Sequence, residues 1–187
     1  MNVILFGPPG AGKGTQAKNL VKRLNSFQIS TGDILRDEIQ KNSEIGKKIV
    51  EDMSDGRFVS DEIVNSLIEK LIFDPSKKNK LIFDGYPRSL TQAKNLEKLL
   101  EKTNQKIDFV FFLNVNKETI IKRIEQRKTI ENRSDDDLNT IVKRYDKYME
   151  TTKPVLDFYS KNSNFYELDG STKIEEITAK INSFLNL

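Results

Sequence analysis

The chain has 187 residues, enough to bury one substantial core and short enough for a single domain. Its 31 basic and 28 acidic residues are interspersed, so the net charge of +3 marks neither a nucleic-acid-binding nor a membrane-binding surface. Cysteine and histidine are both absent, which removes disulfides, thiolate or imidazole zinc sites and every Ser-His or Cys-His nucleophile, and leaves chemistry to Lys, Arg, Asp, Glu and backbone amides.

In chain order, residues 3–6 form an apolar run that predicts a buried strand. The run lacks the basic start and long apolar middle of a signal peptide, and no later run approaches the roughly 20 apolar residues of a membrane span, so a cytoplasmic location is expected. Gly7-Pro8-Pro9-Gly10-Ala11-Gly12-Lys13 follows at once, and then Ala17, Leu20, Val21 and Leu24 at helical spacing. Residues 27–29 predict a second strand. Ser30-Thr31-Gly32-Asp33 reads as a cap before Ile34-Leu35, and Ser60-Asp61-Glu62 as a cap before a helix over 63–71. Residues 30–73 make a helical insert longer than an ordinary crossover needs, so part of it is expected to stand off the sheet. Residues 81–83 and 109–113 predict strands, and the polar stretch 127–137 reads as an exposed loop between helices. A strand is expected at 165–168. Asp169-Gly170-Ser171-Thr172 then reads as the cap of a last helix whose Ile174, Ile177, Ile181 and Leu185 are assigned to the core. The alternation of strand and helix predicts an α/β fold with a doubly wound parallel sheet.

The run from Gly7 to Lys13 fits G-x-x-x-x-G-K in the required context, after a strand and at the start of a helix. Its glycines allow successive amides to face phosphate oxygens, the helix N-terminus points at the same anion, and Lys13 reaches the outer phosphates. Gly14, not Ser or Thr, follows the lysine, with the hydroxyl one later at Thr15, which argues against a P-loop GTPase. The full string GPPGAGKGTQ resembles the nucleoside monophosphate kinases, and the segments below extend that resemblance along nearly the whole chain to the adenylate kinases of short-lid form. The resemblance implies a P-loop three-layer α/β fold with a five-stranded parallel sheet. It implies one kinase domain over 1–187, a monophosphate-binding insert at 30–59 and a short lid at 126–136. ATP would be bound by Gly10, Ala11, Gly12, Lys13, Gly14 and Thr15.

Ser30-Thr31-Gly32-Asp33-Ile34-Leu35-Arg36 resembles the family's STGD-x-L-R segment, implying that Thr31 and Arg36 bind AMP; taken locally, the same run is an ordinary helix cap. Gly56-Arg57-Phe58-Val59-Ser60-Asp61 is similar to G-x-[LF]-V-[ST]-D, which implies that Arg57, Phe58 and Val59 close around AMP. Without the resemblance, Phe58 and Val59 read as core. Asp84-Gly85-Tyr86-Pro87-Arg88 ends a strand, at the edge where α/β sheets bind ligands. It resembles DG[FY]PR, which implies Gly85, Tyr86, Pro87 and Arg88 at the AMP, Arg88 on its phosphate, and Asp84 holding Mg²⁺ through the ion's waters. One carboxylate suits an ion that keeps most of its hydration shell. Gln92, four residues after Arg88, is expected on the same helical face, and its amide can pair with the donor–acceptor edge of adenine, its role in the family.

Arg123 and Arg127 are four apart on one helix face, with Arg133 and Arg144 beyond them, and Arg133-Ser134-Asp135-Asp136 resembles the family's R-x-D-D motif. By resemblance, Arg123 and Arg127 face ATP, Arg133 and Arg144 bracket the transferring phosphate and AMP, and Asp135 and Asp136 orient those arginines. Such a set is what two polyanions held end to end require: positioning and charge stabilisation by planar, permanently charged donors. The bland alternative for any one of them is a solvated surface charge. The segment between Arg127 and Arg133 is short and has no cysteine, so no zinc is implied. Asp169-Gly170-Ser171-Thr172 resembles a loop beside the ATP adenine, which carries over Thr172. The implied activity is reversible phosphoryl transfer from Mg-ATP to AMP giving two ADP, in line, by a monomer with no nucleic-acid or membrane partner. A UMP/CMP kinase shares the loop and the DG-x-PR motif, and Thr31 and Gln92 favour AMP over it. A non-catalytic nucleotide- or nucleic-acid-associated protein is the reading from another class.

Overall fold

A computed structural model describes residues 1–131 and 138–187, with side chains described for 1–126 and 139–187. The strands are β1 (Val3–Phe6), β2 (Phe27–Ser30), β3 (Leu81–Asp84), β4 (Phe109–Asn114) and β5 (Phe165–Asp169). They pair in the order β2-β3-β1-β4-β5, and every pairing is parallel. In β1, Val3 stands opposite Ile82 on one side and Phe109 on the other, so the strand is paired along both edges. That position demands apolar side chains on both faces, and Val3, Ile4, Leu5 and Phe6 are all buried.

The helices are α1 (Lys13–Leu24), α2 (Thr31–Gln40), α3 (Glu44–Ser54), α4 (Asp61–Ile72), α5 (Leu90–Lys102), α6 (Lys117–Glu131), α7 (Leu138–Lys147), α8 (Lys153–Tyr159) and α9 (Ile174–Phe184). The period-2 alternation of the strands divides the core in two. Ile4, Phe6, Ile29 and Phe83 pack with α4, α5 and α8, while Val3, Leu5, Ile82 and Phe111 pack with α1, α6 and α9. The result is a three-layer α/β fold whose loops after β1, β2 and β3 meet at one edge of the sheet, the edge where open parallel sheets take ligands.

Three sequence readings need amendment. Helix α6 runs through Glu131, so the stretch 127–137 is not one loop: Ile130 breaks its polarity and 127–131 stays helical. Ile174 is half exposed rather than core, while Ile177, Ile181 and Leu185 are buried as expected. The last helix begins at Ile174 after Lys173, and Asp169 instead closes a turn onto Ser171, accepting from its amide at 2.9 Å. The cap at Ser30 is present, its Oγ accepting from the Asp33 amide at 3.3 Å. A π-helical turn, Tyr148–Thr152, between α7 and α8 has no counterpart in the sequence reading.

Candidate active site

Residues 7–12 leave β1 as a loop and turn into α1 at Lys13. Two of its glycines hold backbone that L side chains rarely adopt, Gly10 at φ 81° and Gly12 at φ 96°. Gly12 is the N-cap and its carbonyl accepts from the Gln16 amide, which places Lys13, Gly14 and Thr15 in the first turn of α1, at the helix end where positive potential is concentrated. The Lys13 ammonium donates back to the Gly7 and Pro8 carbonyls at 2.7 and 3.0 Å, across the mouth of the loop. Asp84, at the end of β3, accepts from Gln28 Nε2 at 2.9 Å, and a Cβ on Gly14 would meet its Oδ2 at 3.5 Å. A carboxylate thus stands beside the first turn of α1.

Arg88 is fixed on several sides. Its Nε donates to the Gly85 carbonyl at 2.7 Å and its Nη2 to Thr31 Oγ1 at 3.2 Å, while Thr31 itself donates to the Gly85 carbonyl at 2.8 Å. The guanidinium lies 5.0 Å from the centre of the Phe58 ring. Thr152, from the π-helical turn, donates to the Arg88 carbonyl at 3.1 Å. Gln92 is buried; its Oε1 accepts from the Arg88 amide at 2.7 Å, and its Nε2 donates to Asp61 Oδ1 at 2.6 Å. Ser89 caps α5 through the Gln92 amide and donates to the other oxygen of Asp61.

These elements border a cleft of about 600 Å³ lined by Gly10 to Thr15, Arg36, Asp84, Arg88, Arg123, Arg144 and Thr172, among others. A narrower recess of about 60 Å³ shares Lys13, Gly85, Arg88 and Arg144 with it and adds Phe58, Pro87 and Tyr148. Arg36 pairs with Asp33 at 2.5 Å at the cleft's edge, and Arg123 reaches the Ser171 carbonyl at 3.4 Å near Thr172, whose hydroxyl donates to the Asp169 carbonyl at 3.1 Å. Arg144 packs against Gly56, where a Cβ would meet its Cγ at 3.1 Å, so α7 lies against the turn that follows α3.

Some site residues predicted from sequence face elsewhere. Arg57 pairs with Asp52 at 2.8 Å and with Asp55, remains half exposed, and has its pKa raised chiefly by the hydrogen bond to Asp52. Val59 is buried in the core beside α4. The Tyr86 ring is also buried; its hydroxyl donates to Asn65 Oδ1 at 2.8 Å, and burial pushes its pKa up to about 12. Arg127 lies on α6, with its side chain outside the described residues, and Arg133, Asp135 and Asp136 lie outside them altogether.

Other residues at the site were given no role from sequence: Gln28, Asp61, Ser89, Tyr148 and Thr152. Gln28 borders the cleft and Tyr148 and Thr152 the recess, whereas Asp61 and Ser89 are linked to the Arg88 amide through Gln92, and in each case it is the tertiary arrangement that makes the connection. Among the described residues, no group of three or more His, Cys, Asp or Glu side chains could hold a metal ion. A single carboxylate beside a phosphate loop instead suits a hydrated Mg²⁺.

Comparison with known proteins agrees with this geometry. The family model described as adenylate kinase matches residues 5–164. The adenylate kinase of Pelagibacter ubique is 47% identical over an alignment of 213 positions that covers 100% of each chain. That of Caulobacter vibrioides is 43% identical over 185 positions, covering 99% of this chain and 97% of its own. That of Archaeoglobus fulgidus is 37% identical, covering 99% and 98%. The match runs from the phosphate loop through the Arg88 pocket to the helices carrying the remaining arginines, and the chain belongs to the adenylate kinase family.

Proposed function

We propose that the chain transfers the terminal phosphoryl group of Mg-ATP to AMP, giving two ADP, and that the two halves of the cleft take one nucleotide each. The observation that carries this reading is the convergence of Lys13, Arg88 and Arg144 on one narrow recess, at the junction of a phosphate loop and a separate arginine pocket. Gly10 to Thr15 hold the ATP phosphates with their amides, Lys13 spans the outer two, and Arg123 with Thr172 borders the base end. Arg88 and Arg36 take the AMP phosphate, and Gln92 meets the adenine. Phe58 and Pro87 wall the pocket, with the backbone of Arg57, Val59, Gly85 and Tyr86 closing it.

An AMP phosphate oxygen attacks the γ-phosphorus as the bond to the β–γ bridging oxygen breaks, and ADP leaves with that electron pair. The protein's part is alignment and charge neutralisation, which arginine forks and loop amides supply without a covalent intermediate. Mg²⁺, arriving with ATP and held by Asp84 through water, supplies further neutralisation of the phosphate oxygens. By family resemblance, Arg127 and Arg133 complete the set with Arg123 and Arg144, and residues 126–136, whose side chains beyond Gln126 lie outside the described residues, serve as a short lid that excludes water.

We also assign the chain to the cytoplasm, as a monomer. A cysteine-free sequence is compatible with a reducing compartment, and the monomer rests on family resemblance alone.

The test is calorimetric titration with two adenosines joined by five phosphates, a ligand long enough to reach both pockets. The expected result is one ligand per chain, displaced by ATP and by AMP alike. Two ligands per chain, or displacement by one nucleotide only, would overturn the two-pocket reading.

A further inference from the structure

Glutamine amides are usually free to present either end to a ligand, because oxygen and nitrogen have nearly the same shape. Gln92 is not. The Arg88 amide is a donor only and takes Oε1 at 2.7 Å; the Asp61 carboxylate is an acceptor only and takes Nε2 at 2.6 Å. Asp61 is itself anchored, since its second oxygen accepts from Ser89 Oγ at 2.7 Å. Ser89 Oγ in turn accepts from the Gln92 backbone N–H at 3.1 Å, closing a ring between the first residue of α4 and the first turn of α5. The side chain is 3% exposed, so reversal would leave like ends facing one another in a buried site.

We infer that Asp61 is a positioning residue for base selection: it locks the Gln92 amide in the one orientation that accepts adenine and rejects a 6-oxopurine. This rests on the reading that Gln92 meets the AMP base. With one N–H and one lone pair spent on the protein, the amide keeps one donor and one acceptor. Adenine offers the complementary pair, an amino donor at position 6 beside the N1 acceptor. Hypoxanthine has the same outline with the signs exchanged, a carbonyl acceptor beside an N1–H donor. A rotating amide would serve both bases, whereas a fixed one leaves hypoxanthine with donor facing donor and acceptor facing acceptor. Unpaired polar groups of that kind are the strongest basis for discrimination a site has.

The experiment compares kcat/KM for AMP and for inosine monophosphate in the wild-type chain, Asp61→Leu, Asp61→Asn, Gln92→Leu and the Asp61→Leu/Gln92→Leu double variant. Asp61→Leu is expected to reduce the preference for AMP by about tenfold with KM for ATP unchanged. Asp61→Asn, which still accepts from Gln92 and can donate to Ser89, keeps most of the preference. The double variant matches Gln92→Leu alone, because Asp61 acts only through that amide. Preference retained in Asp61→Leu but lost in Gln92→Leu overturns the inference and leaves the base contact standing. Preference retained in Gln92→Leu overturns the base contact itself, and the inference with it. Should Asp61→Leu fail to fold, Asp61→Ser, polar at the helix start but too short to reach Gln92, gives the same readout.

Discussion

Around the phosphate loop, the groups proposed to bind a ligand are backbone amides at the start of α1, set by the conformation of one short segment. Around Arg88 stand side chains drawn from the loop after β3 and from α2, α4, α5 and the π-helical turn, each holding another in place. The first site depends on φ angles and is damaged by a single Cβ. The second is a network, and losing one member loosens it by degrees. A site of the first kind is all-or-none and local; one of the second kind is graded and distributed, and it is there that the proposed base selectivity would reside.

The largest expected effect breaks the loop. In Gly10→Val a β-branched side chain must sit at φ 81°, and its Cβ would meet Ile124 Cγ1 at 2.9 Å and Cδ1 at 3.0 Å. Part of the crowding is relieved by rotation of Ile124, but the backbone strain is not, so the loop shifts and its amides lose their alignment. Steady-state kinetics should show kcat/KM for ATP lowered by about a hundredfold, while calorimetry finds AMP bound as before. Equal losses on both nucleotides would mean that the two sites are not separately built.

A smaller effect is expected from loosening the network. Thr31→Val keeps the shape but removes the hydroxyl that donates to the Gly85 carbonyl and accepts from Arg88. Arg88 keeps its bond to the Gly85 carbonyl, so the pocket relaxes without collapsing. KM for AMP should rise about tenfold and KM for ATP should stay within about twofold, as judged by varying each nucleotide in turn. A matching rise for ATP would show that Thr31 holds the whole sheet edge together rather than Arg88.

The same division explains what the sequence made legible. The loop is written in consecutive residues, and the buried strands announce themselves as apolar runs because a doubly paired strand tolerates nothing else. Ser30 was readable as a cap because capping is local. Asp61 and Ser89 were not readable as site residues: each looks like the start of an ordinary helix, and their joint hold on Gln92 exists only once α4 and α5 lie side by side. Gln28 gave no signal either, being one polar residue on an edge strand until β3 brings Asp84 next to it. Ile174 was misassigned because helical periodicity continues to the first residue of α9, although that end of the helix opens onto the cleft. The reading of 127–137 as one loop overlooked an apolar residue in that stretch, Ile130, and α6 runs on through Glu131.

The finest division falls between two neighbours in the 30–59 insert. Phe58 and Val59 are adjacent and apolar, and sequence alone assigns both to the core or both to the AMP pocket. Their side chains part company: Val59 is buried among α4 and its neighbours, while the Phe58 ring lies over the Arg88 guanidinium and lines the recess. A cation over an aromatic face contributes about 0.5–1 kcal/mol at a partly exposed site. Phe58→Leu removes that face but keeps apolar bulk, so KM for AMP should rise about threefold with little change in melting temperature. Val59→Ala removes buried methyl groups and should lower stability by about 1–2 kcal/mol in chemical denaturation while KM for AMP holds steady. If instead Val59→Ala shifts KM and Phe58→Leu shifts only stability, the roles are reversed and the pocket wall has been drawn one residue too early.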